Sequence, residues 1–76
     1  MTRDEHIAWV KERAKQEYEY YSKKVSHADG VRNARASILS DMGKHPETVG
    51  HKDATLILML PFGSKQELYT FIDSIR

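Results

Sequence analysis

The stretch that decides the fold is IAWVKERAKQEYEYYSKKVSHA, residues 7–28, because its apolar side chains recur at a helical spacing. Successive apolar positions lie three or four residues apart, which is the repeat of one face of an α-helix. Thr2 and Glu5 precede the stretch with the spacing of a capping box, a common start of a helix. The sequence therefore predicts a long helix over residues 3–28. Its apolar face is formed by Ile7, Val10, Ala14, Tyr18, Tyr21, Val25 and Ala28.

The next two elements follow a break at Asp29 and Gly30. Glycine can end one helix and aspartate can cap another, so we expect a second helix over residues 30–43. An apolar run then precedes Pro61, and we interpret residues 53–60 as a short apolar helical element. Such a run also fits a buried strand at 54–60, which would give an α+β fold and would pair with the same strand of a second copy.

The last element is a helix over residues 64–75. Ser64 and Glu67 repeat the capping-box spacing, and the apolar residues that follow share one face. We therefore expect an all-α fold, a small helical bundle or helical hairpin, with residues 1–76 forming a single domain.

Composition limits how this fold can be stabilised. The 76 residues include no cysteine, so disulfides and thiolate zinc sites are excluded. A domain of this size is only marginally stable, which favours tight helix packing or a homo-oligomer, most simply a homodimer. The net charge is +1, the longest apolar run is too short to span a bilayer, and the first residues lack the apolar run of a signal peptide. We expect a cytoplasmic protein without a membrane partner.

A second stripe on the first helix is the candidate contact surface. At about 100° per residue, its members lie well away from the apolar face. Tyr20 and Lys24 are four residues apart, so the cation can lie across the ring, and Trp9 and Arg13 have the same spacing. Aromatic residues and arginine are enriched at interface hot spots, so we expect this stripe to bind another protein. The alternative is that its aromatic rings pack inside the protein or against a second copy. Its residues are Trp9, Arg13, Gln16, Tyr20, Lys24 and His27.

Two further hypotheses concern the basic residues and the histidines. A basic stretch at the junction of the first two helices could neutralise phosphates, so the alternative function is a nucleic-acid-binding module. Its residues are Lys23, Lys24, Arg32 and Arg35. Asp41, His45, His51 and Asp53 lack the spacing of a metal site, and we expect no metal.

Enzymatic activity is not expected. The chain has no phosphate-binding glycine loop and no nucleophile elbow, so we predict no catalytic residues and no cofactor. A small non-catalytic regulatory protein, such as an inhibitor, is the favoured interpretation. Its size suggests a bacterial or phage origin.

Overall fold

Four helices and their connecting turns make up the computed structural model, which describes residues 1–76. In chain order they are α1 (Arg3–Lys24), α2 (His27–Met42), α3 (Lys52–Leu56) and α4 (Lys65–Ser74). The all-α class is confirmed, and the alternative strand at 54–60 is wrong because no residue is in a strand. Helices α1 and α2 pack against each other along a hairpin, α3 packs on α2, and α4 packs on α1. None of the helices combines the length and the apolar character needed to cross a lipid bilayer.

Helix α1 begins as predicted and ends earlier. The Thr2 hydroxyl accepts from the Glu5 N–H (3.2 Å), and the Glu5 carboxylate accepts from the Thr2 N–H (3.0 Å). The helix ends at Lys24 rather than at residue 28, because Ser26 adopts an extended backbone and its hydroxyl accepts from the Asp29 N–H (3.2 Å). Serine is among the preferred N-cap residues, and α2 therefore begins at residue 27 rather than at residue 30.

Gly30 has a different role from the one predicted. It neither ends α1 nor adopts a positive φ, and it lies buried within α2. A Cβ atom built on Gly30 would lie 2.9 Å from Ser22 Cβ and 2.9 Å from Tyr18 Cδ1. Gly30 therefore allows the backbones of α1 and α2 to approach closely just after the turn.

The predicted apolar element at 53–60 is a helix over its first part only. Helix α3 ends at Leu56, and turns continue to Met59. Arg35 on α2 determines the path of this segment, because its guanidinium donates to the carbonyl of Ile57 (3.1 Å) and to the carbonyl of Leu60. The N–H groups of Ile57, Leu58 and Met59 donate to carbonyls three or four residues earlier in the chain. They are therefore not available to a neighbouring strand, and the strand alternative fails.

Helix α4 has half of the predicted capping box. Ser64 accepts from the Glu67 N–H (3.2 Å), but the Glu67 carboxylate accepts from the N–H of Gly63 (3.1 Å) instead of from Ser64. On its inner side, the Tyr69 hydroxyl donates to the Glu19 carboxylate of α1 (2.9 Å). Burial raises the pKa of Tyr69, and the hydrogen bond to Glu19 raises it further, so the phenol remains a donor that holds α4 against α1.

Candidate protein-binding surface on the first helix

The N-terminal half of the aromatic–basic stripe contacts the end of α2. Arg13 Nε donates to Asp41 Oδ2 (3.1 Å). Arg13 and Lys44 each lie over the Trp9 ring, 5.5 Å from its centroid. The Trp9 ring is half-buried against the core, and its centroid lies 5.5 Å from that of His6. Trp9 and Arg13 therefore help to join α1 to α2. For Trp9 this agrees with the alternative given above, in which the aromatic rings of the stripe pack inside the protein.

The centre of this junction is Asp41, which the sequence analysis had considered only as a metal ligand. It is only 1% exposed and accepts from Lys44 Nζ (2.9 Å), from Arg13 and from the Ser37 hydroxyl (3.3 Å). Burial by itself would raise the pKa of Asp41, but the hydrogen bonds from Lys44 and Arg13 outweigh it and lower the pKa. One signal was available in the sequence, since Asp41 falls on the same face of α2 as the apolar Ile38.

Truncating Trp9 tests this structural role. We expect Trp9→Ala to lower the free energy of unfolding by about 1–2 kcal/mol, less than for a fully buried tryptophan because the ring is half-buried. Tyr20→Ala should change the free energy of unfolding by less than about 0.5 kcal/mol, as for other surface substitutions. Urea denaturation of both variants measures the difference. Equal losses of stability would show that the two rings have the same environment.

The C-terminal half of the stripe is open to solvent. Tyr20 is 48% exposed, and its side chain is the most exposed aromatic side chain of the protein. Its ring stacks on Tyr21, with 4.9 Å between centroids and 15° between planes. Lys24 Nζ lies 5.1 Å from the Tyr20 centroid and donates to its hydroxyl (2.8 Å). Gln16, one turn earlier, is exposed and donates to Glu12 (3.4 Å). All these contacts lie within α1, so this end of the stripe is ordered by its own helix.

His27 does not belong to the stripe, contrary to the prediction. It lies in the first turn of α2, where its Nδ1 is 2.8 Å from the Tyr18 hydroxyl and its Nε2 is 2.8 Å from the carbonyl of Phe62. A carbonyl can only accept, so Nε2 donates to Phe62, and in the neutral ring Nδ1 then accepts from the Tyr18 hydroxyl. The side chain therefore connects α1, α2 and the turn before α4. The prediction failed because the helix break was placed several residues too late.

The basic stretch at the helix junction is mostly engaged within the protein. Lys23 and Arg32 each form an ion pair with a carboxylate of their own helix. Arg35 donates to two backbone carbonyls of the segment after α3. Lys24 differs from the other three cations, because it binds neither a carboxylate within 4.0 Å nor a backbone carbonyl. Its one hydrogen bond is to the Tyr20 hydroxyl, so its charge is free to pair with a partner.

The loop residues weighed as metal ligands make separate contacts. His45 Nε2 is 3.3 Å from the carbonyl of Met1, and His51 Nε2 is 2.8 Å from the carbonyl of Arg76. The other ring nitrogen of His51 accepts from the Asp53 N–H (3.0 Å) and caps α3. No group of three histidine or acidic side chains is arranged to hold a metal ion.

Comparison with known proteins adds no relative to this description. The search covered protein-family models, curated proteins and solved structures, and none of them matches the chain.

Proposed function

We propose that this protein is a small, non-catalytic regulatory protein that binds another protein through the exposed end of the α1 stripe, formed by Gln16, Tyr20 and Lys24. The observation that carries the proposal is the state of Tyr20, which is 48% exposed although its ring is held in place on Tyr21. An inhibitor is one form that such a regulator could take. The proposal also places the protein in the cytoplasm, where a chain without cysteine suits the reducing conditions.

The geometry favours binding because the surface is ordered before a partner arrives. A tyrosine that is already fixed loses little side-chain entropy on binding, so more of its contact energy appears as affinity. Tyrosine is also one of the residues in which interface binding energy concentrates. The three side chains supply contact area, an amide and a positive charge, but no paired acid and base. Binding is therefore the activity that this surface supports best.

The charge of Lys24 indicates which chemical groups the partner surface carries. We infer a partner surface with an apolar or aromatic group against the Tyr20 ring and a carboxylate near Lys24 Nζ. Trp9 and Arg13 contribute at the rim, since both are only partly exposed and Arg13 is bound to Asp41. An exposed charge pair of this kind affects mainly the association rate and its dependence on salt.

The test is a titration of the partner with matched variants. Affinity capture from extracts of the native host first supplies the partner, which is then purified and titrated calorimetrically. We expect Tyr20→Ala to raise Kd at least about tenfold, which corresponds to about 1.4 kcal/mol. We expect Lys24→Ala to slow association and to reduce its salt dependence. Lys52→Ala, which removes an exposed lysine of α3, is the matched control and should bind like the wild type.

Two results would overturn the proposal. One is an unchanged Kd for Tyr20→Ala, because the ring would then lie outside the interface. The other is loss of helix content in that variant by circular dichroism, because the ring would then serve the fold rather than binding.

A further inference from the structure

The longest apolar run of the chain turns most of its large side chains toward solvent. Ala54 and Ile57 are buried, whereas Leu56, Leu58 and Met59 are exposed, Met59 to 75%. Because Ile57 is fully buried and Arg35 holds its carbonyl, the flanking side chains are kept on the outer surface. Their exposure therefore follows from how this segment is anchored.

A fourth large apolar side chain is exposed on α2. Leu39 is exposed and lies one turn after Arg35, the residue that binds the carbonyls of Ile57 and Leu60. Residues four apart share a face of a helix, so Leu39 lies on the face of α2 that carries Arg35. The name α3 patch refers below to the exposed side chains of Leu39, Leu56, Leu58 and Met59.

We propose that the α3 patch is the two-fold interface between two copies of this chain. Residues 54–64 include no charged residue, and Thr55 is the one polar side chain between residues 54 and 60. A two-fold interface places residues near its axis against their own copies, so a charged surface would repel itself there and an uncharged one does not. The patch also lacks the charged groups by which a surface selects a different partner.

The area of the patch fits the centre of a dimer interface. The four side chains present roughly 400 Å² of apolar surface, within the range of the largest patch on a typical monomer. A standard interface buries about 800 Å² on each partner and has an apolar centre with a polar rim. The patch therefore supplies about half of the required area, and neighbouring polar residues supply the rim. We expect a reversible dimer with Kd in the micromolar range, on the order of 1–100 µM.

This interface is independent of the proposed partner-binding surface. The patch lies on α2, at the end of α3 and in the turn that follows it, whereas the Tyr20 ring makes its contacts within α1. The two surfaces share no residue, and in the proposed dimer each copy carries its own stripe. Tyr20→Ala should leave dimerisation unchanged, and variants of the patch should still bind the partner, which keeps the two proposals separable.

Charge variants at Met59 test the two-fold arrangement by sedimentation velocity over a wide concentration range. We expect Met59→Lys and Met59→Glu each to raise the dimer Kd at least about tenfold, since like charges then meet near the axis. An equimolar mixture of the two variants should dimerise again, because lysine then faces glutamate. Val25→Lys is the matched control, since Val25 lies at the end of α1, is not part of the patch and is 62% exposed. It should dimerise like the wild type.

Three results of the sedimentation experiment would overturn the proposal. The first is that the wild type stays monomeric up to about 1 mM. The second is that Val25→Lys weakens the dimer as much as the Met59 variants do. The third is that the mixture of the two Met59 variants does not dimerise. Because Met59 is exposed, Met59→Lys and Met59→Glu should both keep the wild-type helix content, which circular dichroism measures. Loss of helix content would show that Met59 is a core residue and would also contradict the proposal.

Discussion

Replacing Gly30 by alanine is expected to destabilise the protein by about 1–3 kcal/mol, and replacing it by valine by about 3 kcal/mol or more. Intrinsic helix propensity alone predicts the opposite sign, since alanine stabilises a helix interior by about 1 kcal/mol relative to glycine. The added Cβ would lie 2.9 Å from two side-chain carbons on α1. Overpacking should therefore exceed the gain in propensity.

The neighbours of Gly30 cannot move aside at low cost. The same Cβ would lie 3.0 Å from the carbonyl oxygen of Tyr18, which belongs to the backbone of α1. The Tyr18 ring is buried, and its hydroxyl is bonded to His27. Relieving the contact therefore requires α1 and α2 to separate near their turn, which loosens the most extensive packing in the fold.

Gly43 supplies the matched control at the other end of α2. It has φ −73°, which alanine adopts readily, and the nearest atom to an added Cβ is the Ser40 carbonyl at 3.5 Å. We expect Gly43→Ala to stabilise the protein by about 0.4–1 kcal/mol. Chemical denaturation of both variants gives the two values. A stabilised Gly30→Ala protein would mean that the helices are farther apart than the structure places them.

The same glycine shows what sequence patterns can and cannot predict here. The spacing of the apolar residues and the cap at Thr2 were sufficient to predict α1, because both are local properties of one helix. A glycine after a helical stretch indicates an end of a helix on local grounds, whereas its actual role depends on how closely a second helix approaches. That distance is a tertiary property, so the sequence did not indicate that Gly30 lies inside α2, whereas the cap at Ser26 that sets the break is a local one.

The candidate site was predicted unevenly for a similar reason. Angular position on α1 correctly placed Trp9 and Tyr20 away from the most deeply buried face. It could not distinguish between them, because Trp9 is covered partly by Lys44, which is distant in the sequence, and by Arg13, which Asp41 holds in place. Likewise, the apolar composition of residues 54–60 predicted burial, but a single arginine on α2 anchors the segment with most of its large side chains outward.

Asp41→Ala is expected to lower the free energy of unfolding by about 2–4 kcal/mol, because the buried carboxylate accepts hydrogen bonds from two cations and a hydroxyl. Asp73→Ala is the control, since Asp73 also forms an ion pair across two helices but its side chain is 61% exposed. Exposed pairs contribute at most about 1 kcal/mol, so this control should lose much less stability. Urea denaturation at neutral pH measures both variants, and equal losses would contradict the structural role of Asp41.

The pH dependence of stability tests whether Asp41 is ionised inside the fold. Its pKa is lowered from the ordinary value of 3.8, so the unfolded chain binds a proton at this site more readily than the folded one. The carboxylate therefore contributes stability that is fully present above about pH 5, and this contribution is lost as the pH falls through the folded pKa. Asp41→Asn cannot titrate, so its deficit relative to the wild type should shrink with acidification below about pH 4. Unfolding free energies from neutral pH to about pH 2 measure this change, and a constant deficit would mean that Asp41 stabilises the hairpin by its shape and not by its charge.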